Sequence, residues 1–314
     1  MRTRSVILNL GIILLFFGTI WVPMSNTSFG QAVSPIPDGA ELERVTDGIE
    51  FGEGPLWHPD GFLLFSDVVA DRIIKLDTLT FVKETYLSPS GGSNGLAFDK
   101  HQNLIMCRRD KGDIARLESD GSVTILASGY KGVTFNGPND ITIRSDGTIF
   151  FTDPNASSAA GAVDGVYSIS PDGIVRRVDS TLDFSNGITL SPDEKKLYVS
   201  AARSLLIYYY DIENDSTLSK KRVFARLNAA RYLDGMKVDE NGLLYVAGGG
   251  GVWIYSPEGV LLDRIPMSGT TTNLNWGGSD YRTLYITEKN SVHRITLNTR
   301  GHVITDSDVQ ELPQ

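Results

Sequence analysis

A short unit recurs six times along the chain, and this repeat limits the folds available to it more than any other feature. Each copy is a short apolar strand, a turn and a second apolar strand, and each begins with a polar residue, called here its opening residue. The opening residues are Glu53, Asn94, Asn139, Asn186, Asp234 and Asn273. They lie 41, 45, 47, 48 and 39 residues apart, the spacing of propeller blades that pack sheet against sheet. The sequence predicts an all-β, six-bladed β-propeller.

The first strand of a propeller blade is the innermost and lines the central channel. The six opening residues should therefore converge at one end of that channel. Pairs such as Asn94-Gly95 and Asp234-Gly235 also suit tight turns, which is the competing interpretation. Two observations weigh against it: the turns already have their own residues seven positions downstream, such as Asp60, and Glu53 is not a turn residue.

The opening residues comprise two carboxylates and four amides, with no histidine or cysteine among them. Oxygen donors of this kind suit Ca²⁺ or Mg²⁺ better than zinc or copper, and the two negative charges of Glu53 and Asp234 balance one divalent ion. We therefore expect a central metal-binding channel that holds one divalent cation, with Ca²⁺ preferred and with Mg²⁺, Mn²⁺ or Zn²⁺ as substitutes in vitro.

The amino-terminal segment has the composition of a secretory signal. Arg2 and Arg4 precede an apolar run over residues 6–22, and small residues follow up to Ala32. This layout predicts a cleaved signal peptide over residues 1–32 and a single propeller domain over residues 33–314. We expect an exported protein, periplasmic or extracellular. An uncleaved membrane anchor is the alternative, because the run is at the lower length limit for spanning a bilayer.

The charge and the cysteine content narrow the classes of partner and chemistry. The formal net charge of −9 argues against nucleic acid and anionic membranes as partners. We expect a monomer whose partner is a small-molecule substrate. Cys107 is the only cysteine, which excludes an internal disulfide. It ends an apolar strand with no histidine partner evident near it, so we interpret it as a buried hydrophobic residue rather than a nucleophile.

Five segments together resemble the SMP-30/gluconolactonase/regucalcin-like family over roughly residues 48–295. The segments are EGP (53–55), FNGPND with FFTDP (135–140 and 150–154), SNGITLSPD (185–193), DGMKVD (234–239) and TNLNWGGSDYRTLYIT (272–287). The resemblance implies a six-bladed propeller with a divalent cation in the channel and hydrolysis of sugar-acid lactones. It also implies that the metal ligands are Glu53, Asn139, Asn186 and Asp234.

The sequence departs from the family pattern beside Cys107. Relatives of the bacterial gluconolactonase type often carry an acidic residue, a histidine and a glycine there, whereas this chain has Arg108, Arg109 and Asp110. Arginines that face the channel mouth would favour a carboxylate or phosphate on the substrate, and arginines that face outward would form a solvated edge. Arg109 is the candidate substrate-binding residue of the pair. Animal members carry an arginine two residues before the ligand of the third copy, Asn139, where this chain has Gly137.

The expected mechanism assigns different work to the two carboxylates. Asp234 is the expected base that activates water, with a low pKa at the edge of the ion, and Glu53 is the expected buried anchor. The amides of Asn139 and Asn186 cannot take a proton at neutral pH and therefore only ligate and orient. Asn94 and Asn273 are candidates for hydrogen bonds to substrate hydroxyls, with a satisfied turn amide as the alternative for each.

Two other functions fit the same residues. The first keeps the site and changes the substrate to phosphotriesters or fluorophosphates, which similar propellers hydrolyse. The second is a non-catalytic exported propeller that binds a ligand or a protein and uses Ca²⁺ only for stability.

Overall fold

The structure is a computed structural model, and it describes residues 34–154, 164–213, 217–227 and 231–302. Every regular element in these ranges is a β-strand, and the strands form six four-stranded antiparallel sheets. The predicted six-bladed propeller is thereby confirmed. The signal segment over residues 1–32 lies outside the described residues and stays a prediction. No described segment forms a helix long and apolar enough to cross a bilayer.

The blades are numbered along the chain. Blade 1 contains Gly52–His58, Phe62–Asp67, Arg72–Leu76 and Lys83–Leu87; blade 2 contains Ser93–Phe98, Leu104–Arg108, Asp113–Leu117 and Val123–Ala127; blade 3 contains Ile141–Ile143, Ile149–Asp153, Gly165–Ile169 and Val175–Asp179. Blade 4 contains Ser185–Leu190, Lys196–Ala201, Leu206–Asp211 and Arg222–Arg226; blade 5 contains Leu233–Val238, Leu244–Gly248, Gly251–Tyr255 and Leu261–Pro266; blade 6 contains Thr271–Gly277, Thr283–Glu288, Ser291–Thr296 and the early strand Glu43–Asp47. A hairpin of Gly129–Tyr130 and Val133–Thr134 lies between blades 2 and 3.

The early strand closes the ring. Glu43–Asp47 pairs antiparallel with Ser291–Thr296 and so supplies the outer strand of the last blade. Apolar side chains fill the spaces between blades, as where Leu64 of blade 1 meets Leu96 and Met106 of blade 2. Burial between sheets and a closed ring together remove most of the exposed sheet edge.

The first strands form the wall of the channel. First strands of consecutive blades contact one another all the way round, from blade 1 to blade 6 and back to blade 1. Most of them carry a β-bulge beside the opening residue, because the register with the second strand shifts there by one residue, as between Glu53 and Leu56 and between Ser185 and Ile188. A bulge re-aims one side chain out of the regular alternation, and here it sits where the opening residue meets the channel.

The glycine after the opening residue allows neighbouring blades to approach closely. A Cβ atom at Gly187 would lie 2.2 Å from the carbonyl oxygen of Asp234 in the next blade, and one at Gly54 would lie 2.2 Å from that of Asn94. These glycines therefore lie within strands, at contacts between blades. The sequence-based alternative of tight turns at these positions is wrong.

We expect Gly187→Ala to destabilise the protein by about 1–3 kcal/mol, because the added methyl group meets rigid backbone of the next blade. The matched control is Gly137→Ala, whose added Cβ would approach the flexible Cγ of Arg109 at 3.0 Å and would lie at an ordinary contact distance of 3.6 Å from the carbonyl oxygen of Arg109. Urea unfolding followed by circular dichroism measures both variants. Equal stability of Gly187→Ala and the wild type would contradict the close approach of the blades.

Candidate active site

Acidic side chains hold the segments that lead into the opening residues. Oδ1 of Asp67 accepts hydrogen bonds from the N–H groups of Glu50 and Phe51, both at 3.0 Å, just before the first opening residue. Asp153 occupies the same place in blade 3 and accepts from the N–H of Gly137 at 2.8 Å, just before the third. These bonds explain the aspartate in the FFTDP segment: it orders the loop that positions a candidate ligand.

Glu53 is buried, with 3% of its surface exposed. Its Oε2 accepts hydrogen bonds from the N–H of Gly54 at 3.0 Å and from Nδ2 of Asn273 at 3.1 Å. Burial, followed by the negative charge of Asp140, raises the pKa of Glu53 to about 7, although these hydrogen bonds and the charge of Lys237 lower it. Glu53 is therefore a fixed carboxylate that lacks a strong cationic partner.

Asp234 is half-buried, which makes it the more accessible of the two opening carboxylates. Burial, the charge of Glu53 and the charge of Asp140 raise its pKa well above the usual value, while bonds from Asn186 and Gly235 oppose the shift. Without a cation, three carboxylates share one poorly solvated space, which raises the pKa; the low pKa expected for Asp234 at the edge of a bound ion stays a prediction.

Asp140 is the third carboxylate, and the sequence analysis missed it. It is 2% exposed, and its two oxygens accept hydrogen bonds from the N–H of Ile141 at 2.9 Å and of Ile188, in the next blade, at 3.2 Å. The sequence does contain one sign that this position is unusual. Four of the six opening residues are followed by glycine, and the third is followed by this aspartate.

Two amides present free oxygens. Oδ1 of Asn94 and Oδ1 of Asn186 are buried and have no hydrogen-bond partner among the described residues. An unpaired buried oxygen is costly, and unpaired oxygens beside mutually repelling carboxylates suit a hard cation. No group of three or more His, Cys, Asp or Glu side chains in the described ranges could hold a metal ion by itself. A cation here would therefore need the amides as well as the acids, as the opening residues provide.

The remaining predicted site residues have distinct environments. Asn273 is 2% exposed, and both ends of its amide are engaged, with Nδ2 on Glu53 and Oδ1 on the N–H of Leu274 at 2.9 Å. It is placed to orient Glu53. Asn139 is half-buried; its N–H donates to the carbonyl of Thr152 at 2.8 Å. Its side chain stays a predicted ligand.

The two arginines after Cys107 lie in different environments. Arg108 is largely buried and makes a bidentate ion pair with Asp113, with both N–O distances 2.7 Å. Arg109 is 42% exposed and pairs with the exposed Asp110 at 2.9 Å. The Arg109 stem lies against Gly137, two residues before Asn139. Arg109 is thus the arginine beside the opening-residue end of the channel.

Cys107 is fully buried, and burial raises the pKa of its thiol well above the usual value. A thiol in this state is a poor nucleophile. The interpretation of Cys107 as a buried hydrophobic residue is confirmed.

The raised pKa of Glu53 predicts a pH dependence for the metal-free protein. A carboxyl group with a raised pKa in the folded state stabilises that state at pH values below its usual pKa of 4.5, and this contribution is lost as the pH rises through about 7. We therefore expect the melting temperature in chelator to fall between pH 5 and pH 8, and added Ca²⁺ to reverse the fall. Glu53→Gln should flatten the profile. A wild-type melting temperature that is constant or rises over this range would contradict the repulsion among the carboxylates.

Comparison with known proteins identifies the family. Residues 51–290 match the model of the SMP-30/Gluconolactonase/LRE-like region. This chain belongs to that family. It is 30% identical to the gluconolactonase of Zymomonas mobilis over 312 residues, which covers 88% of this chain and 86% of the relative. It is 27% identical to a pentonolactonase of Haloferax volcanii, which covers 78% and 84%.

A solved structure agrees in fold and family. The gluconolactonase of Xanthomonas campestris superposes with a TM-score of 0.76 at 31% identity, which covers 82% of this chain and 90% of that protein. The family resemblance read from the five sequence segments is confirmed.

Proposed function

We propose that this protein is a Ca²⁺-dependent hydrolase of sugar-acid lactones. The observation that carries the proposal is the convergence of Glu53 and Asp234 with the unpaired amide oxygens of Asn94 and Asn186 at one end of the channel. The gluconolactonase and pentonolactonase relatives, which align over most of the chain, support the substrate class.

In this proposal Glu53, Asn139, Asn186 and Asp234 hold one Ca²⁺ ion. When bound, the cation supplies Lewis-acid polarisation of a carbonyl group and a positive field that keeps adjacent carboxylates ionised. The buried Glu53 acts as the fixed anchor, because Gly54 and Asn273 hold its carboxylate in one orientation. The second carboxylate, Asp234, is then available to act on the substrate.

Asp234 is the proposed general base. It accepts a proton from the attacking water as the water oxygen bonds to the lactone carbonyl carbon, and it returns that proton to the ring oxygen as the ring C–O bond breaks. Asp234 is more exposed than the buried Glu53, which favours Asp234 as the carboxylate that contacts water and substrate. We assign Asn94 to accept a hydrogen bond from a substrate hydroxyl through its Oδ1, which has no hydrogen-bond partner among the described residues.

Arg109 is the proposed substrate-binding cation at the mouth. Its stem packs beside Gly137, and it forms an ion pair with the exposed Asp110. Exposed pairs of this kind are weak, at roughly 0–1 kcal/mol, so a substrate carboxylate could displace Asp110 at little cost. The proposal therefore favours lactones that carry an anionic group.

A panel of lactones and phosphotriesters, assayed with and without chelator, tests the function. We expect hydrolysis of aldonolactones that chelator abolishes and Ca²⁺ restores, and Arg109→Gln should raise KM for acidic lactones more than for neutral ones. Preferential phosphotriester hydrolysis would favour the second enzymatic function. Metal binding without turnover of any panel member would favour a non-catalytic propeller.

We also propose export as a monomer, with cleavage near Ala32. The layout of residues 1–32 supports export. Mass spectrometry of the mature amino terminus tests it, and an intact Met1 on a membrane-bound product would contradict it.

A further inference from the structure

A second chamber lies at the end of the channel away from the opening residues. Each first strand contributes one residue to it. This residue lies two or three positions after the opening residue of the same blade. We call these residues the lower ring; they are Leu56, Ala97, Thr142, Thr189, Lys237 and Asn275. The chamber has a volume of about 390 Å³ and also reaches turn residues such as Pro59 and Ser145. It therefore lies on the side of the propeller where the first strands end.

We propose that this chamber binds a small organic anion with an apolar or aromatic body. The proposal does not rest on the lactonase function, because the residues that line the chamber are not the candidate metal ligands; the charge of Lys237 also acts on Glu53, one level up the channel. The volume lies within the range of small-molecule pockets, which are mostly apolar with a few polar groups that set orientation.

The walls of the chamber supply the apolar contact. Trp57, Phe98 and Trp276 line it together with aliphatic side chains of the first strands. Trp57 is held in place by stacking on Tyr285 at 5.6 Å, and the Trp276 indole N–H donates to the carbonyl of Val238 at 2.9 Å. These aromatic walls are fixed before any ligand arrives, which reduces the entropy cost of binding.

The anionic preference comes from Lys237. Its ammonium group makes one hydrogen bond within the described ranges, to the carbonyl of Met236 at 3.2 Å, although an ammonium has three donors. The acids that line the chamber are already engaged. Glu194 accepts from the N–H of Ser145 at 2.8 Å, and Asp99 accepts from the N–H of His101 at 2.8 Å.

The chamber is lined by three cationic side chains, Lys100, Arg144 and Lys237, and by two acidic ones, Asp99 and Glu194, so its lining carries a small surplus of positive charge. Arg144 pairs with Asp146 at 3.1 Å and approaches Glu194 at 3.8 Å, so it is also engaged. Lys100 is exposed at a turn that borders the chamber and adds a second positive charge there. A carboxylate inside the chamber would meet Lys237 and the threonine hydroxyls of the lower ring.

Tryptophan fluorescence provides a direct test, because Trp57 and Trp276 are two of the four tryptophans of the chain. Chelator-treated protein is titrated with 1-naphthoate and, in parallel, with the neutral isostere 1-naphthamide. We expect saturable quenching by both, with 1-naphthoate bound about tenfold or more tightly, as for a hydrogen bond to a charged group. Isothermal titration calorimetry checks the stoichiometry of one ligand per chain.

Four variants locate the site. Lys237→Met should remove the preference for the anion, Lys237→Arg should keep it, and Lys100→Met is the matched control that should change it little. Ala97→Phe fills the chamber and should abolish binding of both probes, which keeps the test available if Lys237→Met does not fold.

Equal affinity for the two probes, or an unchanged preference in Lys237→Met, would overturn the proposal. Binding that appears only after Ca²⁺ is added would also overturn it, because the probe would then lie at the opening residues. None of these three results depends on whether the protein hydrolyses lactones.

Discussion

An Asp234→Asn enzyme is expected to lose most of its lactonase turnover while it keeps most of its bound metal. Asparagine retains an oxygen ligand of nearly the same shape but cannot accept the proton from water. Loss of a general base typically costs on the order of 10²–10⁴ in rate. The measurement pairs kcat on an aldonolactone with Ca²⁺ content by elemental analysis.

Asn186→Ala is the matched control, since it removes a candidate ligand whose Oδ1 is otherwise unpaired. Its activity should recover in part as Ca²⁺ is raised, whereas that of Asp234→Asn should not. Near wild-type turnover by metal-loaded Asp234→Asn would leave Asp234 as a ligand only, and the base would then lie elsewhere at the channel mouth.

Glu53→Gln is expected to weaken Ca²⁺ binding strongly. Two unit charges 4 Å apart interact by about 4 kcal/mol at the effective dielectric of a partly solvated site. Loss of one of two ligand charges should therefore lower the affinity on the order of 10²-fold or more. Isothermal titration of chelator-treated protein with Ca²⁺ measures it.

The shape of the site should survive this change, because glutamine can still accept a hydrogen bond from the N–H of Gly54. Asn273→Ala is the graded comparison: it removes the bond that orients Glu53 but keeps the charge, and it should cost less affinity than Glu53→Gln. Unchanged Ca²⁺ affinity in Glu53→Gln, or stoichiometric zinc in the purified protein, would remove Glu53 from the ligand set.

Several features of the site could be predicted from local sequence. Glu53 and Asp234 stand out because each begins a strand–turn–strand unit, and a repeated unit puts equivalent residues at equivalent places. The same repeat identified Asn94 and Asn186 as residues whose side-chain oxygens could bind a cation or a substrate. Whether each Oδ1 has a hydrogen-bond partner depends on atoms of other blades, so the sequence could not establish that these oxygens are unpaired.

Other features required the arrangement of blades in space. Asp140 has one carboxylate oxygen bonded within its own blade and the other bonded to Ile188 in the next. Its effect on the pKa values of Glu53 and Asp234 depends on distances across the channel. Arg108 and Arg109 are neighbours in sequence, yet one is an ion-paired structural residue and the other borders the mouth.

The sequence by itself determined the number of blades, the all-β class and the oxygen chemistry of the opening residues, because period and residue type are local properties of the chain. Only the tertiary structure decided that Glu43–Asp47 closes the ring against Ser291–Thr296, because this strand lies outside the six repeated units and so has no repeat pattern to identify it. It also decided that three carboxylates share the upper channel and that Lys237 faces a chamber below. Electrostatic coupling and cavity shape depend on distances between blades, and those distances arise only when the ring is closed.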